Sequence, residues 1–184
     1  MPKGPVRPWK KLGVAYEKNH TIFTLRELRV EDPRTGKAWP RVTIDAPDWV
    51  NVVAVTDDEQ LVMIRQFRFG TWATTLEIPG GMLDPGEDGL TAGARELEEE
   101  TGYRPRHIVP LGVSEPNPAT QNNRLHHFLA TGCTKVHAGE LDESEDIEVE
   151  LVPVSQVDAR VRSGEITHSL VVTALYYWRL NEGR

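Results

Sequence analysis

The stretch Gly81–Tyr103, GMLDPGEDGLTAGARELEEETGY, decides how the chain reads. Asp84-Pro85-Gly86-Glu87 suits a tight turn, with proline presetting φ at the second position and glycine supplying a positive φ at the third. Asp88 is placed to cap a helix that runs to about Thr101, where Gly102 offers a left-handed stop. At about 100° per residue, Leu90, Ala94, Leu97 and Thr101 share one narrow face, which is expected to be the buried one. Glu96 and Glu100 lie side by side on one flank with Glu99 just beyond them, while Glu98 falls on the opposite flank and reads as solvent decoration.

Carboxylates crowded in this way repel one another and tend to retain protons. A hard divalent cation relieves the repulsion, because Mg²⁺ takes carboxylate oxygens while keeping waters and substrate phosphates as its other ligands. Arg95 precedes Glu99 by four residues and Glu87 sits in the preceding loop, so the two can hold each other and orient the ligands. The competing reading of the charges alone is a solvated helix face with an Arg–Glu pair.

The complete spacing goes further. Gly81, Glu87, Arg95-Glu96-Leu97, Glu99-Glu100 and Gly102-Tyr103 resemble the Nudix box at every defining position. The resemblance implies an α/β fold: an α/β/α sandwich with a mixed sheet, here preceded by a small N-terminal antiparallel β unit. It also implies a pyrophosphohydrolase that uses Mg²⁺, with Mn²⁺ as a substitute. Glu96, Glu99 and Glu100, with the Gly80 carbonyl, would hold the metal, and Arg95 and Glu99 count among the catalytic group.

Composition sets bounds of its own. The chain has 184 residues, enough for one substantial core. Its net charge of −7, without a basic cluster beyond the first dozen residues, argues against duplex nucleic acid as a partner. Cys133 is the only cysteine, so no intramolecular disulfide can form, and a buried, inert thiol is expected. The N-terminus lacks an apolar signal region and no stretch reads as a membrane span, which makes the cytoplasm the default setting.

Along the chain, residues 1–11 are Pro-rich and basic. Residues 13–44 are strand-like, with Thr21–Val30 as a strand, a turn over Asp32–Lys37, and a further strand over Trp39–Ile44. We assign 1–46 as an N-terminal β unit and 47–184 as the catalytic domain. The first unit has little to form a core with and is expected to pack on a second subunit, making a homodimer. Strands are expected at Val50–Thr56, Leu61–Phe69, Trp72–Ile78, His107–Val113, Arg124–Ala130 and Ile147–Val152, and closing helices at Val154–Arg162 and His168–Leu180. Interleaved strands and helices suit helices on both faces of a mixed sheet.

Outside the box, Gln66-Phe67-Arg68, Glu77 and Asn117-Pro118-Ala119 are similar to one branch of the Nudix family, which hydrolyses ADP-ribose and nucleoside diphosphate sugars. Where that branch often reads Pro-Gly this chain reads Pro-Ala, at Pro118. Arg68 is either a strand-end ion pair or a clamp for a diphosphate, to which a guanidinium is well suited. Glu77 is either a strand-end charge or a contact to metal or ribose. Trp39 and Trp49 are core or interface aromatics, or platforms for a base. His126 and His127 alternate across a strand, so one should face inward; neither is assigned as a ligand, because hard Mg²⁺ prefers oxygen. In the acidic run Glu140–Asp146, the family resemblance puts a catalytic base at Glu143, with Glu145 second; a solvated loop is the plain alternative. The expected substrate is thus a nucleoside diphosphate sugar. Competing readings are hydrolysis of a dinucleoside polyphosphate, a nucleoside triphosphate or coenzyme A, and a non-catalytic nucleotide-sugar sensor.

Overall fold

A computed structural model describes residues 4–141 and 146–183. Those residues divide into two compact units, one of 4–47 with 115–123 and one of 48–114 with 124–141 and 146–183. Residues 115–123, which sequence assigned to the second domain, therefore group with the first.

In the first unit β1 (Lys10–Asn19), β2 (Thr24–Glu31) and β3 (Ala38–Asp45) form an antiparallel sheet in that order. The β2–β3 turn closes with Asp32 N–H donating to the Lys37 carbonyl, and Gly36 takes a positive φ of 69° there. The returning segment joins β3, where Ile44 N–H donates to the Thr120 carbonyl at 2.7 Å. Val30 is the only buried hydrophobic residue among the described residues of this unit, so its sheet has almost no core of its own.

The second unit is built on a six-stranded mixed sheet. Its strands are β4 (Trp49–Val55), β5 (Gln60–Arg68), β6 (Ala73–Glu77), β8 (His107–Ser114), β9 (Leu125–Thr131) and β11 (Ile147–Pro153), in the order β11-β5-β4-β9-β8 with β6 on β5. The β4–β9 pair is parallel and the other pairs are antiparallel. A short pair, β7 (Tyr103–Arg104) with β10 (Thr134–Lys135), stands apart. β4 reads Val-Asn-Val-Val-Ala-Val because both faces are covered. Val50, Val52 and Ala54 join Ala92 and Leu97 of α1 (Gly89–Thr101), whereas Val53 joins Val171, Ala174, Leu175 and Trp178 of α3 (Ser169–Asn181). Helix α2 (Val157–Arg162) adds Val157 to the α3 side. Helices on both faces of a mixed sheet make the expected α/β/α sandwich. Among the described residues no helix is long and apolar enough to cross a membrane.

Helix α1 begins and ends where its caps require. Asp88 accepts from Leu90 N–H and Thr91 N–H, and Gly102 takes φ 72°, where a Cβ would lie 2.1 Å from the His137 carbonyl oxygen. Of the expected face Leu97 and Thr101 are buried, but the buried face is turned away from Leu90. Leu90 is 43% exposed, and Ala92, Gly93, Leu97, Glu100 and Thr101 are the buried residues. Glycine explains the rotation: Cβ atoms built on Gly89 and Gly93 would each come within 3.3 Å of the Phe128 ring, so these glycines let the helix lie close against β9.

Candidate active site

The loop that leaves β6 is strung along β4. Val52 N–H donates to the Pro79 carbonyl, Val50 N–H to that of Gly81, and Leu83 N–H to that of Asp48, at 2.9, 2.9 and 3.0 Å. At its two glycines this path leaves no room for a side chain. A Cβ on Gly80 would lie 2.3 Å from the Val50 carbonyl oxygen, and one on Gly81 would lie 2.4 Å from Glu96 Oε1. The turn then closes with Glu87 N–H on the Asp84 carbonyl at 3.0 Å and Gly86 at φ 85°.

Helix α1 brings its carboxylates to this loop. Glu100 is buried and accepts the Gly80 N–H at 2.9 Å through Oε2. Arg95 is the hub of the rest. Its Nε and Nη2 each bond Glu87 at 3.0 Å, while its Nη1 bonds both Glu96 Oε1 at 2.9 Å and Glu99 Oε2 at 3.0 Å. Nη2 also donates to the Met82 carbonyl at 3.2 Å, which ties the helix to the loop. The Arg95 hydrogen bonds hold the Glu87 carboxyl below its usual range, and the same carboxylates raise the Arg95 guanidinium still further.

Of the residues expected to hold a metal, Glu100 and Glu96 thus lie against Gly80 and Gly81, and Glu99 is joined to Glu96 through Arg95. Among the described residues no group of three or more His, Cys, Asp or Glu side chains is already arranged around a single cation position. Glu96 and Glu99 instead converge on one nitrogen of Arg95. The donor set is all oxygen, with Glu96 and Glu99 side chains 14% and 44% exposed, and that chemistry fits a hard divalent cation.

A second cluster lies at the end of β6. Glu77 is 2% exposed, and its carboxylate is gripped by Arg68 through Nε and Nη2 at 2.8 Å each. Thr75 donates to it at 2.5 Å, and His168 Nδ1 lies 2.7 Å from Oε2. Burial pushes the Glu77 carboxyl up, but Arg68, His168 and Thr75 together pull it well below the usual carboxylate range. Arg68 and Glu77 thus form the ion pair named as one alternative, and Glu77 is too buried to offer a surface. The Arg68 side chain remains 43% exposed and also feels Glu100. Sequence reasoning passed over His168. Its signal was a histidine at the N-cap position of α3, where Ser, Thr, Asp or Asn would ordinarily cap the helix.

The remaining expected residues fall as follows. Trp49 is half-buried at the start of β4, bridged to Met82 of the loop. Trp39 and Pro118 belong to the first unit, where Lys37 Nζ sits 4.1 Å over the Trp39 ring. Glu143 and Glu145 lie outside the described residues. Glu98 is more than solvent decoration: Arg104 bonds it at 3.0 and 2.6 Å and His137 at 3.2 Å, and Arg104 holds its carboxyl down at about 2. The opposite flank of the helix is thereby tied to β7. Of the two neighbouring histidines, His127 faces inward, fully buried, and His126 bonds Asp48 at 3.0 Å. Cys133 is buried, and burial pushes its thiol up to about 11.

Comparison with known proteins adds to this geometry. The model of the NUDIX domain matches residues 47–170. The chain belongs to the Nudix family. Among Nudix relatives, the ADP-ribose pyrophosphatase of Bacillus subtilis is 35% identical over 85% of this chain and 86% of its own length. The methanol dehydrogenase activator of Bacillus methanolicus is 31% identical over 90% and 92%. A crystal structure of an ADP compounds hydrolase superposes with a TM-score of 0.84, covering 98% of both chains at 23% identity, and so shares the Nudix fold seen here.

Proposed function

We propose that this Nudix protein hydrolyses the pyrophosphate bond of ADP-ribose or a related nucleoside diphosphate sugar, releasing a nucleoside monophosphate and a sugar phosphate. The observation that carries the reading is the placing of Glu100 and Glu96 against Gly80 and Gly81, with Arg95 binding Glu96, Glu99 and Glu87 beside them. The relative named for ADP-ribose pyrophosphatase activity supports the choice of substrate.

Mg²⁺, or Mn²⁺ in its place, would be held by Glu96, Glu99 and Glu100 with the Gly80 backbone and would supply charge neutralisation and Lewis acidity at the diphosphate. The chain's own residues do the rest. Glu87 holds Arg95, and Arg95 in turn holds the Glu96 and Glu99 carboxylates in place. Arg68 clamps the diphosphate, its charge neutralised on the inner side by Glu77. Trp49, beside the loop, contributes to the substrate pocket. Trp39 and Pro118 of the first unit are read as further substrate contacts. Glu143, with Glu145 second, is the base that takes a proton from the attacking water, which must be in line with the leaving oxygen.

The reading extends to assembly. The first unit, with one buried hydrophobic residue among its described residues, is a dimerisation unit that leaves the second unit as the catalytic domain, and the enzyme is a homodimer. Its setting is the cytoplasm, which suits a lone reduced thiol.

The test is a panel of ADP-ribose, other nucleoside diphosphate sugars, dinucleoside polyphosphates, nucleoside triphosphates and coenzyme A, with Mg²⁺ and with Mn²⁺, scored by kcat/KM. The expected result is AMP and ribose 5-phosphate from ADP-ribose. Intact ADP-ribose together with intact nucleotide sugars would overturn the proposal. Gel filtration at assay concentration checks the dimer, and a clean monomer would remove it.

A further inference from the structure

Three side chains donate to the buried carboxylate of Glu77, and one of them, His168, has no part in the reaction as described so far. Glu77 is held ionised, so its oxygens can only accept hydrogen bonds. The proton between Glu77 Oε2 and His168 must therefore sit on Nδ1, which donates across 2.7 Å. Oε2 is shared between His168 Nδ1 and Arg68 Nη2, the latter at 2.8 Å. His168 makes no cap bond to its own helix, so its side chain is committed sideways to β6. Helix α3 behind it is seated on the sheet through Val171, Ala174, Leu175 and Trp178.

The exposure of the three groups runs in sequence. The side chains of Glu77, His168 and Arg68 are 3%, 33% and 43% exposed. A buried anion thus carries an outward cation. Two of the three guanidinium nitrogens are bonded to Glu77, and among the described residues Nη1 is left for another partner. A bidentate pair fixes the guanidinium plane only as firmly as the carboxylate plane is itself fixed. Thr75 holds Oε1, and among the described residues His168 is the one outside the β5–β6 hairpin that holds Oε2.

We propose that His168 is a positioning residue for Arg68: by holding Glu77 Oε2 it sets the carboxylate plane, and through it the direction in which Arg68 offers its remaining nitrogen to a substrate diphosphate. This inference rests on the reading of Arg68 as the diphosphate clamp. His168 itself touches no substrate, and its loss leaves Glu77 still bonded to Arg68 and Thr75. The effect is therefore expected in binding rather than in the chemical step.

The full chain is compared with its His168→Ala, His168→Asn, His168→Gln and Arg68→Lys variants by steady-state kinetics on ADP-ribose with Mg²⁺, by equilibrium binding of ADP as a diphosphate probe, and by thermal melting. His168→Ala should raise KM about tenfold, as expected for loss of one charge-assisted hydrogen bond, with kcat within about twofold. His168→Asn, whose amide nitrogen can stand where Nδ1 stands, should recover most of the affinity; His168→Gln, which reaches instead to the place of Nε2, should not. Unchanged KM and ADP affinity in His168→Ala, equal impairment of the Asn and Ala variants, or losses that merely follow melting temperature would each overturn the positioning role. If Arg68→Lys leaves affinity intact, or the unaltered chain binds no ADP, the clamp reading falls and this inference falls with it. Weakened Arg68→Lys beside intact His168→Ala would remove the inference alone.

Discussion

Glu96 fills the volume that a side chain on Gly81 would need: a Cβ there would lie 2.4 Å from its Oε1 and 2.7 Å from its Oε2. The neighbouring Gly80 is confined differently, by the Val50 carbonyl oxygen at 2.3 Å and Asn51 Cα at 2.8 Å. One glycine faces a movable carboxylate and the other faces backbone. Gly81→Ala should therefore displace Glu96, cutting turnover by about a hundredfold or more while melting temperature stays near the original, since misplacement by about 1 Å is that costly. Gly80→Ala should instead cost roughly 1–3 kcal/mol of stability by overpacking. Kinetics and melting on the two variants check the contrast, and a Gly81→Ala variant with full activity would refute it.

Glu100→Gln keeps an oxygen for the Gly80 N–H but removes the charge. The loop should stay seated and kcat should fall by at least about a hundredfold, as for loss of a transition-state electrostatic contact. Undiminished turnover would place the metal elsewhere.

Divalent cation should stabilise the fold by mass action. Saturating Mg²⁺ at about a hundred times its dissociation constant contributes roughly 2.7 kcal/mol, visible as a rise in melting temperature. The rise should vanish in a Glu96→Gln, Glu100→Gln double variant. An equal rise in both proteins would mean that Mg²⁺ acts away from this loop.

His127 links the sheet to α3 as a neutral residue. Asn51 Nδ2 donates to the Leu170 carbonyl at 3.1 Å, so Asn51 Oδ1 must accept from His127 Nδ1 at 2.7 Å, which leaves Nε2 to accept the Ser114 hydroxyl at 2.8 Å. Burial pushes this imidazole from 6.5 down to about 4. Between those values the unfolded chain binds a proton that the folded one refuses, so stability declines as pH falls from 6.5 towards about 4. Each tenfold difference in proton affinity between the unfolded and folded chain corresponds to about 1.4 kcal/mol. His127→Gln should be less stable near pH 7, and its deficit should shrink as the pH is lowered. A constant deficit would show that His127 does not titrate in this way.

Much of the second unit was legible because its signals are local. The Asp88 cap, the Gly102 stop and the Gly86 turn depend on neighbouring residues, and α1 spans the expected segment. Strand β4 was readable from an apolar run broken by Asn51 alone. The buried face of α1 was legible only at Leu97 and Thr101, because large apolar side chains dominate the helical pattern, whereas Gly89 and Gly93 set the approach to Phe128. Glu98 was underrated for a related reason: its partners Arg104 and His137 arrive from beyond the helix. Glu77 looked like a possible contact surface because strand position alone does not reveal burial by residues as distant as His168. The grouping of 115–123 with the first unit depends on the pairing of Ile44 with Thr120 and Gln121, which has no local signature.

Helix α1 is pinned at both ends and on both flanks: Asp88 at its start, Gly102 against the His137 carbonyl at its end, Arg95 on one side and Arg104 on the other. It works as a ruler whose zero mark and far mark are both nailed down. Adding one residue inside it would turn every later glutamate by about 100° and advance it by about 1.5 Å. No rotation of the whole helix could absorb the change, because Arg95 ties one side of it to Glu87 and Met82 while Arg104 grips Glu98 on the other. The spacing between the turn and the last glutamate is thus a measured length, and substitutions are easier for this stretch to tolerate than any change in its count of residues.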